Sequence, residues 1–315
     1  MKSVWIMAAA FGAALAATGA SYADTSVAIG ISGWTGFGPL TLAMQAGIFK
    51  KHGLDVTLPK IPQSSRQLAL ANNSIQCAAT TVETWIVWAA AGISAKEIFA
   101  VDTSHGADGI VARPDIKTVA DLKGKTVAAS APGTSPYFLL AEILAKNGLS
   151  MKDIKRVNME PDAAAQAFIA GQNDAASTYE PYLSKVREAP QSGKVLATTV
   201  DYPVILDTVG CSTDFLKAHP DAAKALADSY FEALDMIKTD KDKSDAIMGA
   251  DVKQSAKDFA DSAAYLQWLD KPANKTFFEQ TFPAFNTQAA DLLLTGGVIK
   301  SKPDLTTLAD TSFIQ

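Results

Sequence analysis

Thr126-Val127-Ala128-Ala129-Ser130-Ala131-Pro132-Gly133-Thr134-Ser135-Pro136-Tyr137 is the stretch on which the reading of the fold turns. A short apolar run stops at a Pro-Gly turn, two hydroxyl residues follow, and Pro136 stands where a helix takes its first turn. Strand, loop and helix in that order form the repeating step of an α/β sheet. The same step recurs on both sides. Upstream, residues 26–31 read as a strand, Pro39 opens a helix that ends before Gly53, and residues 55–61 read as a second strand. Ser64 or Ser65 caps a helix through Leu70, and residues 76–80, 98–102 and 109–112 alternate as strands with a helix over 83–91. Downstream, residues 154–158, 175–179 and 195–199 read as strands, separated by helices over 162–170 and 181–187. A return strand over 204–209 precedes a helical tail at 222–237, 255–269 and 275–294. Two cycles with a tail imply two lobes. Residues 24–112 plus 205–315 form one and 113–204 the other, the chain crossing twice.

The ends and the composition narrow the class. Residues 1–23 begin Met1-Lys2-Ser3, run apolar from Val4 to Ala17 and finish Ser21-Tyr22-Ala23, the pattern of a secretory leader cut after Ala23. The remaining chain suits two lobes of about 100–150 residues. With 28 basic against 33 acidic residues, a net charge of −5, it offers no basic face for nucleic acid. His52, His105 and His219 lack metal-ligand spacing, so neither metal nor cofactor is expected. Cys77 and Cys211 either pair in an oxidising compartment or stay apart as buried thiols.

In open α/β sheets ligands collect where strands run out into loops and helix N-termini. The loop Ser32-Gly33-Trp34-Thr35-Gly36-Phe37-Gly38 offers flat apolar faces from Trp34 and Phe37, a hydroxyl from Thr35, and glycines that admit close approach. Thr81 stands at the next helix start, and Asp102 ends a strand. Thr134, Ser135 and Tyr137 stand at a helix N-terminus, whose free N–H groups favour an anion. Glu180 closes another strand, and Asp207 sits inside the apolar run 204–209, where an acid is costly without a partner. No arginine falls on these loops. No histidine accompanies a nucleophile and no phosphate-binding loop occurs, so binding fits better than catalysis.

Several segments together resemble one family. They are the run Ile116-Lys117-Thr118-Val119-Ala120-Asp121-Leu122-Lys123-Gly124-Lys125, the Gly133-Thr134-Ser135 loop, residues 167–176 (AFIAGQNDAA), Tyr179-Glu180-Pro181-Tyr182, and the first-lobe pattern A-x-x-x-G-I-F-x-x-x-G-L-D-V over 43–56. The chain is similar to the nitrate/sulfonate/taurine-type substrate-binding proteins of ABC importers. The resemblance implies a type II periplasmic binding fold, a monomer, a small-molecule solute held between the lobes, and a membrane permease as partner. It brings Trp34, Thr35, Thr134, Ser135, Glu180 and Asp207 to the cleft, and through the taurine branch it gives Asp207 the solute's amino group. Neutral donors and acids without arginine then favour a taurine-like zwitterion or another amine-bearing solute. An alkyl sulfonate, nitrate or a pyrimidine-like solute is the alternative, with a sensor role or an enzyme of the related thiamine-pyrimidine branch behind it.

Overall fold

A computed structural model describes residues 24–315; the leader read at residues 1–23 lies outside the described residues. Among the described residues eleven strands build two sheets. They are β1 (Thr25–Gly30), β2 (Leu54–Thr57), β3 (Cys77–Thr81), β4 (Ala95–Ser104), β5 (Asp108–Ala112), β6 (Thr126–Ala129), β7 (Lys155–Asn158), β8 (Ala175–Tyr179), β9 (Lys194–Thr198), β10 (Leu206–Ser212) and β11 (Leu266–Trp268). The first sheet runs β11-β4-β10-β3-β1-β2 and the second β7-β6-β8-β5-β9. In each, the returning strand pairs antiparallel with its neighbours: β10 with β3 and β4, β5 with β8 and β9. The central strands β3, β5 and β8 are buried along their whole length. Helices cover both faces, which is why these strands read as continuous small or apolar runs and not as alternations.

The sheet order corrects one lobe limit. The sequence pattern places residues 24–112 in the first lobe, yet β5 is a central strand of the second sheet, with Asp108 opposite Tyr179 and Ala112 opposite Ala175. The chain leaves the first sheet at Ser104 and enters the second at Asp108, so the first crossing is residues 105–107. The second is residues 199–205. Thr199 ties the two crossings together: its hydroxyl pairs with Ser104 Oγ at 2.7 Å and accepts from the Gly106 amide at 2.7 Å.

Local differences follow from packing. The helix expected from Pro39 to Gly53 breaks after Gln45, because Gly47 takes φ 74°, and resumes as Ile48–Lys51. The helix expected over 255–269 stops at Ala263, and residues 266–268 become β11 by pairing with β4. Helix Lys241–Asp251, polar along much of its length, was not anticipated. In the tail, helix Phe282–Thr295 reaches the second lobe, Phe285 meeting Phe138 at 6.3 Å and Gln288 donating to Glu142 at 3.3 Å.

Cys77 and Cys211 form a disulfide; they are direct partners in the β3–β10 ladder. The open question of separate thiols is thereby closed. The bridge spans 134 residues of sequence and encloses the whole second sheet. Among the described residues no helix is long and apolar enough to cross a membrane, and no His/Cys/Asp/Glu group is arranged to hold a metal.

Candidate functional site

The two lobes meet face to face. Thr35 N donates to Glu180 O at 3.3 Å, Thr84 Oγ1 to Gly133 O at 3.2 Å, and Trp34 meets Tyr179 edge-on with centroids 5.4 Å apart. Between them lies an interior cavity of about 20 Å³ lined by Ser32, Trp34, Phe37, Gln63, Arg66, Thr80, Asp108, Ser135, Tyr179, Ile205 and Asp207. Ser32 and Tyr179 also line a larger recess of about 490 Å³ between the lobes, rimmed by Lys60, Glu160, Tyr182, Lys185, Asp251 and Lys253.

One wall is acidic. Asp207 lies opposite Asp102 in the β4–β10 ladder, so the two side chains share a face of the sheet. Asp102, fully buried, accepts from Trp34 Nε1 at 3.2 Å through Oδ2, while its Oδ1 has no partner among the described residues. Gly36 is required here: a Cβ would fall 2.1 Å from both Asp102 Oδ2 and Trp34 Nε1, on top of that bond. Burial holds Asp102 and Asp207 well above the usual carboxylate range, and mutual repulsion with Asp108 adds to it. Burial likewise pushes Asp108 up to about 7 and Glu83 up to about 8.

The opposite wall is a donor surface. Helix Ser135–Lys146 starts at the cavity, and Ser135 donates from N at 3.1 Å and from Oγ at 3.2 Å to Gln63 Oε1. Gln63 comes from the first lobe, on helix Gln63–Ala71, and its amide donates to Thr80, Thr81 and Thr84 hydroxyls at 2.9–3.2 Å. A side chain of one lobe thus caps a helix of the other. Arg66, one turn further along, is 1 % exposed; Nε donates to Ile61 O at 2.8 Å, Nη1 to Ala79 O, and Nη2 has no partner among the described residues. Burial lowers its pKa to about 10, which leaves it charged at neutral pH.

Of the residues singled out from sequence, Trp34, Phe37, Ser135 and Asp207 line the interior cavity, and Asp102 stands behind Trp34. The others do not reach it. Thr35 is buried and touches the second lobe through its backbone. Thr81 donates to Glu83, and Thr134 donates to Ala131 O at 2.7 Å. Tyr137 faces a groove toward Leu292 and Leu293, with Arg156 over its ring at 5.5 Å. Glu180, fully buried, is paired with Arg187 and accepts from Ser184 N at 3.1 Å, so its charge is already met. Two corrections follow: an arginine, Arg66, does line the cavity, and Asp108, Gln63 and Tyr179 line it although the sequence does not single them out as site residues. Arg66 carried a readable signal, a cation one helical turn from buried Leu70 on the same stripe.

The acids give solute-free protein a pH signature. A carboxyl whose proton is held more tightly when folded stabilises the fold fully below the unfolded pKa of about 4, and that stability is lost as pH rises through the folded value. For Asp108 and Glu83 the window runs from about pH 4 to their folded values of about 7 and 8. The acids with lowered values, Asp121, Asp153, Asp304 and Glu232, act only at the acid end. Scanning calorimetry without solute is therefore expected to show the unfolding midpoint falling between about pH 5 and 8, by at least about 1.4 kcal/mol of stability, one pK unit of a single group. A flat or rising midpoint contradicts the assignment of buried, proton-holding acids.

Comparison with known proteins agrees with this architecture. The chain is 28% identical over 287 residues to a Bacillus subtilis (strain 168) protein named for aliphatic sulfonates, covering 88% of this chain and 84% of that one. It is 29% identical over 173 residues to a Brucella abortus (strain 2308) protein named only for binding; that match takes in 55% of this chain and 53% of the relative, so the chain spans about half the length of the Brucella relatives it matches. Among solved structures, the alkanesulfonate-binding protein SsuA of Xanthomonas axonopodis pv. citri, bound to MOPS, superposes with a TM-score of 0.77 at 21% identity, over 93% of this chain and 100% of that one. The nitrate-binding protein NrtA of Synechocystis PCC 6803 gives 0.67 at 17%, over 90% and 87%. These likenesses establish the periplasmic binding protein fold. The family model described as NMT1/THI5 like matches residues 34–244, about two thirds of the sequence. The chain belongs to the NMT1/THI5-like family.

Proposed function

We propose that this protein is the exported, periplasmic solute-binding component of an ABC importer, acting as a monomer without catalysis, and that it closes its lobes over a taurine-like zwitterion or another amine-bearing solute. The observation that carries the reading is the interior cavity between the lobes, with Asp207 on one wall and the start of helix Ser135–Lys146 on the other. An ammonium against Asp207 and the face of Trp34, and an anionic group toward Arg66 Nη2, match the charged groups of the cavity. The names of relatives support the solute class: one is the taurine-binding periplasmic protein of Escherichia coli (strain K12), 28% identical over 145 residues. With both cysteines joined in one disulfide, no cysteine thiol remains for the enzyme reading.

A solute without an amine is the second reading, favoured by the free Arg66 Nη2, but it leaves Asp207 facing an anion. Titration calorimetry with taurine, ethanesulfonate and nitrate separates the two. Taurine is expected to bind, to stabilise by about 2.7 kcal/mol at 100 times its dissociation constant, and to lose at least about tenfold in affinity in Asp207→Asn. Tight binding of nitrate or ethanesulfonate with no response to taurine overturns it.

A further inference from the structure

Asp108 has no role in the reading above. It is the first residue of β5 and belongs to the second lobe, whereas Asp207, in β10, belongs to the first. Both line the interior cavity, 2 % and 3 % exposed. The Asp108 amide donates to Ser104 Oγ at 3.1 Å, and its Oδ2 has no partner among the described residues. The charged and titratable groups that face this pair are Asp102 from β4, Glu83 from helix Val82–Ala90, Arg66 from helix Gln63–Ala71, Tyr179 from β8 and Glu180 just after it. Glu180 is met by Arg187. Arg66 Nη2, buried and unpartnered on the same cavity, is the cation left to face the remaining acids, and its other nitrogens are spent on backbone carbonyls.

We infer that Asp108 and Asp207, one from each lobe, clamp a single cationic nitrogen that carries at least two N–H donors, so that the protein selects primary ammonium solutes over quaternary ones. This rests on the amine-bearing reading and names its solute class. Donor count is the first ground. Each carboxylate needs its own N–H, and a primary ammonium supplies three where a quaternary nitrogen supplies none. Placement is the second. Because the two acids sit on different lobes, the nitrogen between them also fastens the lobes to each other, and its contacts exist only in the closed form. Burial raises the pKa of both acids, that of Asp108 to about 7, so binding a cation near neutral pH releases protons.

Titration calorimetry on the full chain, with taurine and N,N,N-trimethyltaurine as probes, tests the clamp. Taurine is expected to bind wild-type protein at least about tenfold more tightly than its trimethyl analogue, and Asp108→Asn to weaken taurine by at least about tenfold. The solute-free unfolding midpoint of Asp108→Asn is expected to equal or exceed that of wild type, which shows the variant folded. Should it not fold, the comparison of probes on wild type decides alone. A difference below about tenfold between the probes, or between wild type and folded Asp108→Asn, overturns the clamp and leaves the amine reading standing. Failure of both probes to bind overturns the two together.

Discussion

Arg187→Ala is expected to destabilise the protein by about 3–5 kcal/mol, the usual result of removing one partner of a buried ion pair. Glu180 is wholly buried, and the Arg187 guanidinium is the cation against it. The same guanidinium donates to Gly106 O at 3.1 Å in the first crossing and lies 4.2 Å from the Tyr265 ring of the first lobe. Removing it strands a carboxylate whose pKa burial already raises and which Arg187 and Ser184 pull back down. The acid then takes a proton, and the crossing loses an anchor. Urea unfolding at neutral pH measures the loss. The double variant Glu180→Gln, Arg187→Met removes both charges and is expected to recover much of it, since the cost lies in an unmatched charge and not in the pair's own attraction. A loss below about 1 kcal/mol, the value of an exposed pair, would show that Glu180 stays hydrated.

Cys77→Ala with Cys211→Ala is expected to remove about 2–5 kcal/mol, again at neutral pH in denaturant. The bridged residues are separated by 134 positions, and in the chain-entropy account a loop of about 100 residues is worth about 4.7 kcal/mol. Both cysteines are fully buried, so alanine keeps the core closed at little packing cost. They stand at the start of β3 and near the end of β10, three residues from Thr80 and four from Asp207, so solute affinity should not change. Equal unfolding midpoints for wild type and double variant contradict the stabilising role.

Much of the architecture is legible in sequence because it rests on local signals. The buried runs of β3, β5, β6 and β8 are short, apolar and bounded by turns, and each shows as a strand. β11 does not show: Leu266, Trp268 and Leu269 fit a helical stripe as well as a strand, and only pairing with β4 decides between them. The same holds for the lobe limit, since Arg113-Pro114 looks like a boundary while the ladder from Asp108 to Ala112 fixes the crossing earlier.

The cavity was half visible. Trp34, Phe37, Ser135 and Asp207 come from loops and strand ends, where a search along the chain looks first. Gln63 and Arg66 project from a helix following β2, and what brings them in is that helix lying across the cleft, a tertiary fact. Glu180 failed in the opposite sense: as a loop acid it reads as free, and its neutralising partner stands seven positions away on the next helix.

The sulfur bridge has one more consequence. Backbone and disulfide together make a closed ring from position 77 to position 211, and the entire second lobe is strung on it. A protease that cuts the backbone once inside that ring opens it without releasing a fragment. The nicked molecule stays one covalent piece, both halves of its solute site still attached.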